Sequence, residues 1–202
     1  DTGYNLWVWK AGRKSRLTVG RCFDTTPGVS ADGKTVYFVS DRSFASSSPD
    51  GSEGNMAMFS LALSDAEGKP GNVRHVPGDA NGAAISQPQP SPDGRYLMWA
   101  EQLTYSDNWH LMAAKTALPN ACCRLTPANM AAYGPRWVRG SSHIIFTGYR
   151  AGDAGWSVYL LEPKSGALKR ICEGREGAVS PDGRTLVYEN ASGDLALREL
   201  TD

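Results

Sequence analysis

The sequence predicts an all-β protein made of repeated four-stranded antiparallel units. Three observations support this fold class. Glycine and proline are abundant, with 22 and 12 copies among 202 residues, which suits many short strands joined by turns. Four segments of the chain repeat one another. The apolar residues occur in short runs that lack the periodicity and caps of helices.

The composition argues against several classes of protein. Lys plus Arg and Asp plus Glu each number 21, so the formal net charge is zero, which argues against binding duplex nucleic acid through its phosphates. Hydrophobic residues at 41% and charged residues at 21% are ordinary for a folded globular chain. No apolar run is long enough to predict a membrane span. The sequence begins at Asp1 without a leader, so we expect that a targeting segment has been removed or that the polypeptide is longer.

The repeats have the spacing of propeller blades. The aligned segments begin at Pro27, Pro88, Pro135 and Gly177, which are 61, 47 and 42 residues apart. Periods of about 40 to 50 residues with several strands in each are typical of β-propellers. We therefore predict an all-β β-propeller of four-stranded antiparallel blades, with about four to five blades in the chain.

Every unit follows the same order of four strands, A to D. A tight turn joins strands A and B, and in three units it contains Asp-Gly, a pair that tolerates the positive φ of hairpin turns. The predicted B strands are residues 36–40, 97–100, 144–147 and 186–188; the C strands are 56–63, 111–116, 158–161 and 195–200; the D strands are 73–76, 123–126 and 168–172. These runs are nearly continuously apolar, which favours sheets covered on both faces.

The two ends of the chain do not complete a simple ring. Residues 6–10 and 16–18 read as a C and a D strand, whereas the last unit stops after its C strand. The predicted domain is a single propeller over residues 1–202, with a half blade at 5–20, blades at 24–78, 83–128 and 133–174, and an incomplete blade at 176–202. We expect an arc of a larger ring. The alternative is a compact ring of about five blades closed by irregular pairing of the two ends.

The repeat resembles a known family. The lead Pro-x-x-Ser-x-Asp-Gly-Lys/Arg, the sequence Ser40-Asp41-Arg42 and the C–D segment 158–171 resemble the WD40-like β-propeller repeat of TolB and related extracytoplasmic proteins, from about Asn5 onward. The third unit departs from this motif, because Arg139-Gly140 replaces Pro-Asp and Ser141 takes the glycine position. The fourth unit has Gly177 where the others carry proline. The resemblance implies a binding scaffold, often periplasmic.

One end of the propeller carries the candidate binding residues. In an antiparallel blade the B–C loops and the D–A connectors emerge together, and here the B–C loops vary in length and contain aromatic residues. Loops on a rigid scaffold are common binding sites, and Trp, Tyr and Arg are enriched at protein interfaces. The partner-binding candidates are Arg42, Tyr105, Trp109, Tyr149, Arg150 and Trp156. The alternative is that aromatics at strand ends pack on the neighbouring blade. We read the other tryptophans as core: Trp7, Trp9, Trp99 and Trp137.

No catalytic, metal or cofactor motif is present, so we expect no catalytic residues, no metal and no cofactor. Gly155-Trp-Ser157 lacks the second glycine of a nucleophile elbow and precedes a strand rather than a helix. The three histidines, His75, His110 and His143, are far apart in the chain and far from the cysteines. The cysteines Cys22, Cys122, Cys123 and Cys172 read as buried free thiols, with a disulfide of Cys22 or Cys172 as the alternative.

Three functional hypotheses follow. The first is a non-catalytic scaffold that binds a protein partner or forms a module of a larger extracytoplasmic assembly, in the periplasm or outside the cell. The second is the propeller domain of a larger enzyme, since the resemblance extends to blades of prolyl-oligopeptidase-type peptidases and of multi-haem cytochrome complexes. The third is a structural repeat in a surface assembly.

Overall fold

The computed structural model describes residues 3–42, 56–63, 72–77, 83–104 and 107–200 of the chain. These residues form seventeen β-strands and contain no helix. The strands lie in antiparallel sheets that stack one on the next in chain order. The predicted fold class, an all-β propeller of antiparallel blades, is therefore confirmed.

The sheets follow the predicted repeat. A two-stranded hairpin comes first, formed by β1 (Trp7–Lys10) and β2 (Arg13–Arg16). The first blade contains β3 (Asp24–Val29), β4 (Thr35–Ser40), β5 (Ala57–Ala62) and β6 (Arg74–His75). The second contains β7 (Ala84–Pro90), β8 (Tyr96–Gln102), β9 (His110–Lys115) and β10 (Leu118–Arg124). The third contains β11 (Met130–Trp137), β12 (Ile144–Arg150), β13 (Ser157–Glu162) and β14 (Ala167–Glu173). The last sheet contains β15 (Arg175–Val179), β16 (Thr185–Glu189) and β17 (Leu195–Glu199).

A serine and an aspartate build the A–B turn in three of the blades. The Ser91 hydroxyl donates to Asp93 Oδ1 at 2.6 Å, and the same carboxylate oxygen accepts the backbone N–H of Arg95 at 3.0 Å. Matching bonds occur at Ser30 with Asp32 and at Ser180 with Asp182. Gly94 takes the positive φ of 70°, whereas no aspartate of these turns has a positive φ. The aspartate therefore serves the turn through its side chain and not, as predicted, through its backbone conformation.

The A–B turn of the third blade differs, as the missing Asp predicted. Ser141 alone supplies the side-chain bonds there: its hydroxyl donates to the carbonyl of Val138 at 3.2 Å and accepts the N–H of His143 at 3.1 Å. Gly140 has a φ of 77° and so occupies the left-handed position of this turn.

The core consists of apolar layers between successive sheets. Continuous buried runs such as those of β4, β8 and β12 supply side chains to the layers on both sides. Trp99, with no exposed surface, lies in the layer between the first and second blades. Trp137 is half-buried against the layer between the second and third blades. The prediction of a core position is therefore confirmed for Trp99, whereas Trp137 packs at the edge of the core.

The same prediction was wrong for Trp7 and Trp9. Both side chains lie on the outer face of the hairpin β1–β2 and are 52% and 72% exposed. The hairpin turns its other face, with Val8, toward the first blade. The Lys14 ammonium group lies 4.5 Å from the ring centre of Trp7 and partly shields it. No described strand covers this outer face.

Two predicted D strands are displaced. The strand expected at residues 16–18 lies at Arg13–Arg16, because the turn of the hairpin occupies only Ala11 and Gly12. The strand expected at residues 123–126 is Leu118–Arg124, whose register against β9 shifts between Leu118 and Cys123. The strand therefore begins at Leu118, which pairs with Lys115, five residues before the start that the apolar pattern indicated.

Every A strand contains a bulge at the same place in the repeat. The residue with positive φ is Thr26 at 45°, Gln87 at 55°, Gly134 at 64° and Glu176 at 54°. The register of each A–B ladder shifts beside it. The spacings of these four residues equal those of the sequence repeats, so the bulge is part of the repeating unit.

The cysteines are free thiols. Cys22, Cys122 and Cys172 are half-buried, and burial is the main cause that raises the pKa of each thiol. The expectation of burial was wrong for Cys123, which is exposed on β10.

Candidate partner-binding face

We call the end of the blades at which the B strands finish and the C strands begin the B–C face. In the third blade this loop, residues 151–156, joins β12 to β13 and is described in full. The first B–C loop, residues 43–55, lies outside the described residues, and so does the candidate Tyr105. The geometry of the B–C face is therefore clearest at the junction of the third blade with the last sheet.

Three aromatic side chains meet at this junction. The ring of Trp156 lies 5.1 Å from that of Tyr133, edge to face, and 5.6 Å from that of Tyr149. Trp156 remains 39% exposed, whereas both tyrosines are half-buried. The carbonyl of Trp156 accepts the N–H of Gly174 at 2.9 Å, which ties the loop to the D–A connector. The structure thus brings together the candidates Tyr149 and Trp156. Below we call Tyr133, Tyr149 and Trp156 the aromatic cluster.

An ion pair lies beside the aromatic cluster. Arg175 donates to Glu189 at 2.6 Å, with both side chains partly in solvent. The Arg175 guanidinium holds the pKa of Glu189 below its usual range, and Glu189 raises the pKa of Arg175. Burial raises the pKa of Tyr133, and the nearby Glu176 carboxylate adds to this rise. The site therefore offers aromatic hydroxyl and ring surface next to one cation, Arg175, and two carboxylates, Glu176 and Glu189.

Arg150 is held by its own loop. Its backbone N–H donates to Asp153 Oδ2 at 2.9 Å, and its carbonyl accepts the N–H of Asp153 at 2.9 Å. The Tyr159 hydroxyl donates to the same carboxylate oxygen at 3.2 Å, and the Arg150 guanidinium lies 5.8 Å from the Tyr159 ring centre. These bonds give the loop a defined shape before any partner binds.

Arg42 lies in the first blade, at a different blade junction from the aromatic cluster. It donates to Asp24 Oδ1 at 2.7 Å, and the Asp24 side chain is fully buried. The guanidinium also lies 5.3 Å from the ring centre of Phe38 and 5.4 Å from that of Phe59. Arg42 therefore neutralises a buried carboxylate and covers the first blade, and its part in partner binding stays a prediction.

Trp109 is also separate from the aromatic cluster. Its side chain is half-buried against the layer between the second and third blades, and its carbonyl accepts the N–H of Ala132 at 2.7 Å. This is the packing role that was the alternative for aromatics at strand ends.

Sequence reasoning missed Tyr133, Arg175 and Glu189. Tyr133 and Arg175 come from A strands, each one residue before the bulge, and the search for binding residues considered only loops. The sequence did contain a signal. Tyr133 and Arg175 lie two residues before the first residue of their aligned repeats, and the first two units have Thr25 and Ser86 at this position. The change from a small to a large side chain marks the two later units.

The opposite end of the blades contains a cleft of about 690 Å³ between the second and third blades. Its lining includes the apolar side chains of Leu118, Leu125 and Trp137 together with Tyr96 and the exposed Cys123. Within the described ranges, no group of three or more His, Cys, Asp and Glu side chains is placed to hold a metal ion. The described residues also contain no helix that could cross a membrane.

Comparison with solved structures identifies the type of propeller. TolB from Acinetobacter baumannii is similar to this chain with a TM-score of 0.70 and 15% sequence identity, over 93% of this chain and 43% of that chain. The fold is that of a TolB-like propeller. No family model and no curated protein sequence matches the chain.

The TolB-like propeller fold also occurs in enzymes. An oligogalacturonate lyase from Vibrio parahaemolyticus has a TM-score of 0.68 at 12% identity, over 98% of this chain and 60% of that chain. A puromycin-hydrolyzing peptidase from Mycobacterium tuberculosis has a TM-score of 0.68 at 17% identity, over 94% of this chain and 32% of that chain. The chain thus spans less than two thirds of each of these three proteins. At such identities the likeness establishes the fold and leaves the activity open.

Proposed function

We propose that the chain is a non-catalytic propeller scaffold that binds a protein partner through its B–C face, as a module of a larger extracytoplasmic assembly. The observation that carries this proposal is the aromatic cluster, in which Trp156 is 39% exposed beside the ion pair of Arg175 and Glu189. Tryptophan, tyrosine and arginine are the residues that contribute most to the energy of protein interfaces.

The stacked blades support the scaffold role. The rings of the aromatic cluster are already in contact, and residues 151–156 are held by backbone bonds to β12 and to the D–A connector. Side chains that are ordered before binding lose little conformational entropy when a partner arrives. The surface can therefore bind without a change in the fold.

The location and partner class belong to the same proposal. The likeness to TolB, together with the repeat motif, supports a periplasmic or extracellular location and a partner that is a protein or another subunit of an assembly. The balanced charge supports a protein partner over a nucleic acid.

A second candidate is a propeller domain of a larger enzyme whose catalytic part lies elsewhere. Its support is the likeness to the puromycin-hydrolyzing peptidase, of which this chain covers 32%. In that case the enzyme activity depends on catalytic residues outside the propeller. The activity then depends on the aromatic cluster only if the cluster contacts the catalytic part.

Site-specific photo-crosslinking tests the first proposal. A benzoylphenylalanine side chain is placed at Ala154, exposed in the loop beside the aromatic cluster, or at Lys164, exposed on the C–D turn at the opposite end. We expect one defined crosslinked protein in envelope extract of the native host from position 154 and not from position 164. Trp156→Ala should lower its yield by about tenfold, the effect of losing a binding hot spot.

Tyr96→Ala is the matched control, because Tyr96 is 41% exposed at the opposite end. Equal loss from Trp156→Ala and Tyr96→Ala would contradict binding through the B–C face. Cleavage of aminoacyl nitroanilides or of oligogalacturonate by the purified chain would contradict the non-catalytic part of the proposal.

A further inference from the structure

Two departures from the sequence repeat meet at one cleft. This is the cleft of about 690 Å³ between the second and third blades, at the end opposite to the B–C face. Its size is that of a binding site for a small molecule, which typically encloses about 300 to 1,000 Å³. One departure lies on the second blade and the other on the third, so the cleft is built by residues that the other units lack.

The first departure is a small residue on the C strand of the second blade. Ala113 occupies the position that Leu160 has in the third blade, because Ala113 pairs with Met98 as Leu160 pairs with Ile145. On the other side, Ala113 pairs with Cys123 of β10, which is also small. The alanine thus leaves space where the third blade has a leucine side chain.

The second departure is a serine in the A–B turn of the third blade. Ser142 occupies the turn position at which the other three units carry a long cation, namely Lys34, Arg95 and Arg184. Ser142 and its neighbour Ser141 both line the cleft. The third blade therefore presents a short side chain with a hydroxyl group to the cleft, where the repeat otherwise supplies a long charged one.

Much of the cleft lining is apolar. Leu118, Leu125 and Trp137 contribute to it, and Leu118 is 57% exposed. The indole N–H of Trp137 donates to the carbonyl of Gln89 at 3.2 Å, so the ring is held in place and its only donor is used. A ligand with an apolar body that covers these side chains is stabilised by the removal of apolar surface from water.

The charged side chains of the cleft favour an anion. Lys115 and Lys164 line it, and neither ammonium group has an ion-pair partner among the described residues. The carboxylates of the lining are already bound. Asp93 Oδ1 accepts two hydrogen bonds within its own turn, at 2.6 and 3.0 Å, and the two oxygens of Glu162 each accept a backbone N–H, at 3.2 and 3.0 Å. Arg95, 3.9 Å from Asp93 Oδ2, adds a third cation. The cleft therefore combines apolar surface with unpaired ammonium groups.

We propose that this cleft is a binding site for a free fatty acid, whose hydrocarbon chain covers Leu118 and Trp137 and whose carboxylate pairs with Lys115 and Lys164. An apolar chain with one negative charge is complementary to both parts of the lining. A neutral ligand leaves the two ammonium groups unpaired, and a cationic ligand is repelled by them. The cleft and the B–C face lie at opposite ends of the blades, so this proposal does not depend on the proposed protein partner.

Three probes with the same hydrocarbon chain test the class of ligand. Decanoate, decan-1-ol and decyltrimethylammonium are titrated into the purified chain by isothermal calorimetry, below the concentrations at which they form micelles. We expect saturable binding of one decanoate per chain, with an affinity at least about tenfold higher than for the alcohol and the ammonium. The absence of saturable decanoate binding, or equal affinity for all three probes, would overturn the proposal.

Variants then test the two parts of the lining. Ala113→Leu fills the cleft with the residue of the third blade and should weaken decanoate binding at least about tenfold. Its control is Ala62→Leu, the same enlargement at an exposed position of β5, which should leave binding unchanged. Lys115→Gln combined with Lys164→Gln should remove the preference for decanoate over decan-1-ol. Lys169→Gln, exposed on β14 and outside the lining, should keep that preference. Equal effects of a variant and its control would contradict this site.

A thiol of the lining locates the bound probe without any substitution, which decides the case if Ala113→Leu fails to fold. Cys123 is exposed and lines the cleft, whereas Cys172 is half-buried on β14 and does not line it. Iodoacetamide alkylates a cysteine when the thiolate sulfur displaces iodide, and mass spectrometry of peptides measures the rate at each cysteine. Decanoate should slow alkylation of Cys123 several-fold and leave that of Cys172 unchanged. An unchanged rate at Cys123 under saturating decanoate would place the bound probe elsewhere and overturn the proposal.

Discussion

The third blade and the last sheet present the same kinds of side chain in the same register, and among the described residues only the face of the third blade is covered. On the third blade, Ile145 and Val158 have no contact with solvent, and the next sheet lies over them. On the last sheet, Val187 and Leu195 occupy the matching positions with 36% and 82% of their surface exposed. The burial of a strand residue in this fold thus depends on the neighbouring blade and not on its own sequence.

The hairpin β1–β2 teaches the same lesson at the other end of the described chain. Val8 packs toward the first blade, while Trp7 and Trp9 on the opposite face are exposed. In a propeller each blade supplies half of two core layers, so a blade without a neighbour on one side keeps half of its apolar side chains in solvent.

The largest expected difference between the two faces is in how much the free energy of unfolding falls when an apolar side chain is removed. Ile145→Ala should lower the free energy of unfolding by about 3 kcal/mol, because it removes buried methyl groups and leaves a cavity. Val187→Ala should lower it by about 0.5 kcal/mol or less, because its side chain already contacts water. Urea unfolding at constant m-value measures both changes. Equal losses would show that the face of the last sheet is covered in solution.

The repeating part of this fold could be predicted from the sequence, because its determinants are local. The lead segment and its Ser-x-Asp-Gly turn recur in three units, and an apolar B strand follows the turn in all four; these features indicate the blades directly. The departure at Arg139-Gly140 correctly predicted a different turn in the third blade.

Other features depend on contacts between blades and could not be predicted. Thr26, Gln87 and Glu176 adopt positive φ although none is glycine. The backbone N–H groups of Gln87 and Glu176 donate to side chains of the preceding blade, a contact that the sequence does not indicate. The exposure of Trp7 and Trp9 depends on what lies beside the hairpin.

The candidate site was predicted in part for the same reason. Tyr149 and Trp156 flank one loop, so reading loops found both. Tyr133 and Arg175 reach the same place from the A strands of two sheets, and loop reading cannot find them. Arg42 was selected because it is an arginine at a strand end. Its ion-pair partner, the buried Asp24, lies 18 positions earlier in the chain, and the sequence did not indicate this contact.

A smaller difference is expected between the turns of the second blade and the last sheet. Ser91 is buried and its hydroxyl oxygen accepts the N–H of Tyr96 at 2.9 Å, whereas the equivalent Ser180 is half-exposed. Ser91→Ala should therefore lower the free energy of unfolding by about 1 to 2 kcal/mol, because a poorly solvated N–H loses its acceptor. Ser180→Ala should cost about half as much, since water can replace the hydroxyl. Thermal unfolding of the two variants measures this, and a larger cost at Ser180 would contradict the lower solvation of the second-blade turn.

The smallest expected effect is a decrease in stability at acid pH that involves the A–B turn of the last sheet and not that of the third blade. The Ser180 hydroxyl and then the N–H of Arg184 hold the pKa of Asp182 below its usual range. Because the folded-state pKa is lowered, the ionised carboxylate stabilises the folded state above the ordinary aspartate pKa of roughly 4, and this contribution is lost as the pH falls through the folded-state value.

The variant Asp182→Asn should therefore have a lower thermal midpoint than the parent at about pH 5, and the difference should shrink as the pH falls below the ordinary aspartate pKa of roughly 4 and the parent carboxylate becomes protonated. The turn of the third blade has no carboxylate in this position and is the matched control. Ser141→Ala should change the midpoint by the same amount at both pH values, since the Ser141 hydroxyl bonds only to backbone groups in the described structure. If the two variants depended on pH equally, the acid sensitivity would come from other carboxylates, and the Ser-x-Asp turn would stabilise the blade through its geometry alone.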